Sequence, residues 1–142
     1  MDLLPTLAHL TGAEAPRDRI LDGKDIRGLI LGDPNATSPH EAFYYYRRNN
    51  LNAVRCGNWK LHLDENLVFD LESNVGESVD RYHDHPDVVK QLSELADACR
   101  QDLGDERLDI AGKNCRPVGR VENSTPLTSM DWTHPYMQAA YD

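Results

Sequence analysis

A two-residue turn between two alternating segments constrains the fold of this chain more than any other feature. Gly57 and Asn58 form the turn, and glycine at the first central position suits a type II′ β-turn. A hairpin closed by this turn forms four pairs: Cys56 with Trp59, Arg55 with Lys60, Val54 with Leu61, and Ala53 with His62. The first and third pairs share one apolar face. On the other face Arg55 and Lys60 repel each other unless an acidic group or a partner surface covers them.

A third strand and a long helix follow the hairpin. In residues 67–72 an apolar set alternates with the remaining residues: Leu67, Phe69 and Leu71 against Val68, Asp70 and Glu72. After capping signals at residues 84–87, seven residues recur at the spacing of one helical face before Gly104: Val88, Val89, Leu92, Leu95, Ala96, Cys99 and Leu103. We expect this helix to pack on Val54, Trp59, Leu61 and Phe69.

A run of four aromatic residues predicts the first strand within residues 41–50. A tight turn near residues 49–50 would pair it with the strand that precedes Gly57. The aromatic side chains have two interpretations. They form core and cross-strand contacts, or Tyr46 forms a rim with Arg47 and Arg48 that stacks on a sugar or binds sulfate.

The predicted fold class is α+β. A small antiparallel sheet of three to four strands packs against one long C-terminal helix, with a short N-terminal helix and an extended tail. Residues 41–104 form this sheet-and-helix subdomain. Residues 1–40 are a helical segment and connector, in which Asp2 caps a helix bearing a leucine stripe and Gly12 ends it. Residues 105–142, punctuated by glycine and proline, are an irregular tail.

Charge and composition exclude several classes of function. The 142 residues carry a net charge of −9, which opposes the phosphate attraction that nucleic-acid binding requires. No apolar run approaches the roughly 18 residues of a membrane span. Three cysteines make neither a zinc pattern nor an even disulfide framework. Met1 begins no signal peptide, so localisation is not readable from this end.

Several short motifs together resemble one enzyme family. They are Ala53-Val54-Arg55, Gly57, Trp59-Lys60-Leu61, Phe69-Asp70-Leu71-Glu72 and Gly76-Glu77, preceded by Asp2-Leu3-Leu4-Pro5-Thr6-Leu7 and Asp22-Gly23. This set resembles the C-terminal subdomain of the arylsulfatase-type sulfatases. The resemblance implies that Met1 is an internal residue of a longer parent, periplasmic or secreted. It also implies a missing N-terminal catalytic domain with calcium and a formylglycine, and hydrolysis of aryl or carbohydrate sulfates.

The groups that perform sulfatase chemistry are not found in this chain. The family's nucleophile lies in a Cys-or-Ser-x-Pro-x-Arg motif, whereas Cys115-Arg116-Pro117-Val118-Gly119-Arg120 has its arginine one residue late. No Asp-Asp pair followed by a distant Asp-Asn pair provides a calcium cage. We therefore expect no catalytic residue, metal site or cofactor in this chain, and no activity from it alone.

Two groups of histidines have alternative interpretations. His83 and His85, beside Asp80 and Asp84, either chelate a metal ion or belong to a solvated capping segment before the helix. His62, beside Lys60, is either an interface or substrate-facing residue or an ordinary surface histidine.

Six basic residues are predicted to lie mostly at one edge of the sheet or in the loop beyond the helix: Arg47, Arg48, Arg55, Lys60, Arg116 and Arg120. They either face a sulfated carbohydrate or form surface ion pairs with Asp64, Asp70 and Glu72. The candidate substrate-facing residues are Tyr46, Arg47, Arg48, His62 and Arg116. Besides a sulfatase fragment, the chain has two other interpretations: a stand-alone scaffold or module that binds anionic sugars, and a truncated gene product without a role of its own.

Overall fold

The computed structural model describes residues 1–116 and 122–123. Its helices and strands are, in chain order, α1 (Leu3–Thr11), α2 (Arg27–Ile30), β1 (Phe43–Arg47), β2 (Asn50–Cys56), β3 (Trp59–His62), β4 (Leu67–Asp70), α3 (Pro86–Leu103) and a short 3-10 helix (Glu106–Leu108). The strands form one antiparallel sheet in the order β1-β2-β3-β4, and α3 packs on one of its faces. The predicted α+β class is confirmed.

The hairpin between β2 and β3 has the predicted register. Cys56 pairs with Trp59 and Val54 with Leu61. Gly57 has a φ of +57°, and Asn58 is not among the residues with positive φ. A type II′ turn needs this combination, so the glycine determines the turn.

The turn between β1 and β2 differs from the prediction. It consists of Arg48 and Asn49, and Asn50 already pairs with Arg47 as the first residue of β2. Arg48 takes the positive φ, at +57°, a conformation uncommon for a residue other than glycine. The turn therefore begins one residue before Asn49 and Asn50, near which it was predicted.

A β-bulge changes which side chains of β2 reach the core. The register shifts between Tyr45 and Tyr46, so that Tyr45 pairs with Ala53 but Tyr46 with Leu51. Strict alternation from Val54 would place Leu51 on the face away from α3. The bulge reverses this, and Leu51 is fully buried in the core.

The core lies between the sheet and α3. Its buried members are Leu51, Val54, Leu61, Val68, Leu92, Ala96 and Cys99. Trp59 packs against this cluster as expected, but Phe69 does not belong to it. Leu61 pairs with Val68, so Val68 faces α3, and Phe69 is buried on the opposite face beneath His62, with ring centroids 5.5 Å apart. The prediction that Phe69 contacts the helix was wrong, because the register of β3 and β4 decides the face.

Both ends of α3 follow from local sequence. Pro86 occupies the first turn, where its missing N–H costs no hydrogen bond. Gly104 ends the helix with a φ of +88°, and a Cβ there would lie 2.8 Å from the backbone oxygen of Ile110. The close approach requires glycine and brings the following segment back along the helix.

Asp2 joins distant parts of the segment 1–40 to one another. This residue does not cap α1 as predicted; its carboxylate accepts hydrogen bonds from Lys24 N and His40 Nε2, both at 2.8 Å. The predicted stop at Gly12, which adopts φ +75°, is confirmed. The leucine stripe is solvent-exposed: Leu3, Leu4, Leu7 and Leu10 have exposed fractions between 49% and 66%.

Residues 105–116 fold back over the start of β2. Glu106 N donates to Asn49 O, and the Arg107 guanidinium donates to Leu51 O. The predicted tail otherwise falls largely outside the described residues, including Arg120. The proposed boundaries at residues 40 and 104 stay predictions.

Candidate functional site

The outer face of the sheet, which points away from α3, contains a cluster of three polar side chains, Lys60, His62 and Glu77. Glu77 accepts a hydrogen bond from Lys60 Nζ at 2.7 Å through one carboxylate oxygen and lies 2.6 Å from His62 Nε2 through the other. Glu77, from the loop after β4, is therefore the acidic cover of Lys60. Arg55, the other cation of that pair, has no acidic partner among the described residues.

The cluster explains part of the spacing of the sequence motifs. Alternation directs Lys60 and His62 to the same face of β3, two residues apart. Glu77, directly after Gly76, reaches both with a positive φ of +50°. The hydrogen bond from Lys60, then that from His62, lowers the pKa of Glu77 from its ordinary value of 4.5, against the opposing effect of burial.

Replacing Glu77 by glutamine is expected to lower the free energy of unfolding by about 1–2 kcal/mol at neutral pH. Because the folded pKa of Glu77 lies below 4.5, its contribution is complete above that pH and is lost as the pH falls through the folded pKa. Urea denaturation of both proteins at neutral and acidic pH measures this difference. Glu72→Gln, in the same loop but bonded only to Asn58, should show little effect. An E77Q penalty that does not shrink in acid contradicts the assignment.

Two exposed aromatic rings lie beside this cluster on the outer face. Phe43 and Tyr45 have ring centroids 6.1 Å apart, and Lys60 Nζ lies 4.9 Å from the centroid of the Tyr45 ring. Tyr44 and Tyr46 point to the core instead. Core packing thus accounts for two of the four aromatic residues, and the other two lie on the outer face.

The candidate residues of the β1–β2 hairpin have different surroundings. The Tyr46 hydroxyl donates to Gly104 O at 2.7 Å, so its polar end is directed to the end of α3. Burial raises the pKa of this hydroxyl well above its usual range. Arg47 and Arg48 are exposed and line a cleft of about 380 Å³. Within the part of the chain that the structure describes, neither forms an ion pair.

Among the described residues, the six basic residues do not pair with Asp64, Asp70 or Glu72, the partners named in the ion-pair interpretation. Asp64 pairs with Arg107, Asp70 accepts from Ser73, and Glu72 accepts from Asn58. Each acid is bonded by a neighbour in space that the sequence pattern did not identify.

The basic residues also do not share one edge. Arg47 pairs with Asn50 and Arg55 with Phe43, which places the two arginines at opposite ends of the β1–β2 ladder. Arg116 lies elsewhere and pairs with Asp22. Arg116 follows α3, as expected, but the prediction of one sheet edge does not hold for Arg47 and Arg55, because the register places them at opposite ends of the ladder.

Metal binding has little support among residues 1–116 and 122–123. No group of three or more His, Cys, Asp or Glu side chains in them is arranged to hold a metal ion. The His85 ring lies against Trp59, with centroids 4.6 Å apart, and His83 contacts Tyr82. These residues do not fit the calcium cage that the sulfatase resemblance implies for the parent. Cys115 donates to Leu103 O.

No helix in the described ranges combines the length and the apolar character that crossing a bilayer demands.

Comparison with known proteins identifies the relatives of this chain. An arylsulfatase of Hemicentrotus pulcherrimus is 39% identical over 89 residues, which are 59% of this chain and 16% of that protein. Steryl-sulfatase of Homo sapiens is 47% identical over 55 residues, or 39% of this chain and 9% of that protein. N-acetylgalactosamine-6-sulfatase of Mus musculus is 40% identical over 63 residues, 44% of this chain and 12% of that protein. The chain spans at most 16% of the length of these relatives.

A solved structure has a fold similar to that of this chain. It is a sulfatase described under the metabolism of multiple glycosaminoglycans by Bacteroides thetaiotaomicron. The TM-score is 0.55 at 24% identity, over 70% of this chain and 24% of that one. No protein-family model matches the chain. The chain is thus similar to arylsulfatases and steryl-sulfatases over part of its length, and its fold agrees with that of a C-terminal sulfatase subdomain.

Proposed function

We propose that this chain belongs to a parent enzyme that hydrolyses sulfate esters of carbohydrates or aryl alcohols. The observation that carries the proposal is the 39% identity with an arylsulfatase over 89 residues. In that parent, calcium and a formylglycine would supply the reaction centre from another domain. The residues of this chain would position the substrate and stabilise the assembly.

Docking to a catalytic domain is supported by the N-terminal segment. The leucine stripe of α1 is exposed. A helix of only nine residues is marginally stable in water, so it needs a surface to cover these leucines. Leu29, Ile30 and Leu31 of the α2 region are exposed as well. Both stretches precede the sheet and would lie against the catalytic domain.

The substrate-facing role is proposed for the residues that the sequence pattern selected. Arg47 and Arg48 form no ion pair with another described residue, and the fork of each guanidinium matches two sulfate oxygens. His62 is held by Glu77 on the outer face. Tyr46 and Arg116 are already engaged with Gly104 and Asp22, so a contact with substrate would use the remainder of their surfaces.

The isolated chain is expected to give no turnover of a chromogenic aryl sulfate above a blank without protein, with calcium present. The reason is that the sequence contains neither the nucleophile motif nor the aspartate and asparagine set of the calcium cage. Turnover that a chelator abolishes would contradict this prediction. Joining the chain to the reading frame upstream of Met1 tests the proposal that the parent hydrolyses sulfate esters. If that frame encodes Cys-or-Ser-x-Pro-x-Arg and the joined protein hydrolyses the ester, the proposal is supported; a start signal at Met1 with no such frame overturns it.

A stand-alone module that binds anionic sugars is the second candidate. It is favoured by Arg47 and Arg48, which lack an acidic partner among the described residues although the chain has a net charge of −9. Such a module would bind a sulfated sugar without any catalytic domain.

A further inference from the structure

We propose that the cavity beside Phe43 and Tyr45 binds the ring of an anionic pyranose sugar, with the two aromatic rings as a platform and Arg55 as the anion contact. The inference deepens the proposed function, on which it rests for the class of ligand. It moves sugar stacking from Tyr46 to the opposite face of the same strand.

The platform is accessible and borders a concave space. The exposed fractions are 46% for Phe43 and 37% for Tyr45, and their rings are tilted by 48°. The cavity beside them holds about 460 Å³, enough for one or two sugar rings. Its polar lining consists of Ser38, His40, Glu41, Arg55 and Asn58.

Both aromatic rings are held in place by neighbours that are themselves bonded to a carboxylate. Lys60 lies over the Tyr45 ring and is itself fixed by Glu77 at 2.7 Å. His40 contacts Phe43 with ring centroids 6.2 Å apart, and its Nε2 lies 2.8 Å from the Asp2 carboxylate. A platform fixed in this way loses little conformational entropy when a ligand binds.

Arg55 provides the contact that would select an anionic sugar. Its Nε donates to Gly57 O at 2.9 Å, which orients the guanidinium. Within the described residues the two terminal nitrogens have no acidic partner. They can donate in parallel to two oxygens of a sulfate or carboxylate group. The aromatic rings meet the C–H face of a sugar, and the polar lining meets its hydroxyl groups.

A protein partner fits this cavity less well than a sugar. Glutamate is depleted at protein interfaces, whereas Glu41 lines this cavity. The exposed leucines of α1 offer a more apolar surface for a neighbouring domain.

The test measures binding of a sulfated chondroitin tetrasaccharide and its desulfated counterpart to the full chain by calorimetry. Tyr45→Ala should weaken binding of the sulfated probe by about tenfold, and Tyr45→Phe, which retains the ring, should not. Arg55→Gln should remove most of the preference for the sulfated probe, about tenfold in affinity. Arg17→Gln, an exposed arginine of the connector, is the matched control and should change neither value. Circular dichroism verifies that each variant is folded.

Three outcomes overturn the inference. They are absence of binding at millimolar probe, equal affinity of the Tyr45→Ala and unaltered chains, and a Tyr45-dependent change in molecular mass by sedimentation, which would make the platform a self-association surface. The proposed function is tested separately, by measuring whether the unaltered joined protein hydrolyses a small aryl sulfate. If the unaltered joined protein does not hydrolyse the aryl sulfate but the chain still binds the sulfated tetrasaccharide, the proposed function is rejected and the sugar-binding inference is not.

Discussion

Leu92→Ala is expected to lower the free energy of unfolding of this chain by about 2–5 kcal/mol, the range for emptying a buried leucine site. Leu92 lies in the middle of α3 with an exposed fraction of 1%. It belongs to the same buried cluster as Val54, Leu61 and Val68. Truncation removes apolar contacts and leaves a cavity between the helix and a sheet that cannot readily close it.

Chemical denaturation followed by circular dichroism measures this loss. Leu31→Ala removes the same atoms from a side chain that is 71% exposed and should change stability by less than about 0.5 kcal/mol. If the denaturation midpoint of Leu92→Ala equals that of the unaltered chain, α3 does not pack on this face of the sheet.

Asp105→Ala is expected to cost about 3 kcal/mol, because it removes one partner of a buried ion pair. The Asp105 side chain has no solvent exposure and lies 3.1 Å from Arg100 Nε. Arg107 approaches the same carboxylate oxygen at 4.0 Å and also donates to Leu51 O. Removing the carboxylate leaves the largely buried Arg100 without its interior partner and loosens the segment that covers β2.

Asp97→Ala is the matched control for this prediction. Asp97 contacts the same guanidinium, at 2.9 Å from Arg100 Nη1, but its side chain is 73% exposed. Removing it should cost no more than about 1 kcal/mol. Asp105→Asn, which keeps the shape of the side chain, allows a measurement if the alanine variant does not fold. Equal costs at both positions would show that burial of Asp105 has no energetic consequence.

The two positions differ in how readily the sequence revealed them. Leu92 was predicted as a core residue, because seven apolar residues recur at the helical period between Pro86 and Gly104. Asp105 lies just beyond that period, in a segment that reads as an irregular tail. Nothing local distinguishes it from a surface aspartate, and its partners are contributed by α3 and the short 3-10 helix.

The outer face shows the same limit for the candidate site. Strand alternation was sufficient to place Arg55, Lys60 and His62 on one face. It also predicted that Arg55 and Lys60 need an acidic group or a partner surface to cover them. The acid itself, Glu77, was part of the recognised Gly-Glu motif, but its pairing with Lys60 is a contact across 17 residues. The exposed ring of Tyr45 could have been inferred only by following the alternation from Tyr44, which packs against the core.

Local pattern was enough for the β2–β3 register, the span of α3 and the α+β class, because each depends on a short period of apolar residues and on a glycine or proline at its boundary. Tertiary structure decided that Val68 rather than Phe69 faces α3, that a bulge turns Leu51 inward, and that the arginines separate to opposite ends of one ladder. In each case the alternatives are equally apolar or equally charged in sequence. Only the pairing of distant backbone segments, with its fixed two-residue period, selects between them.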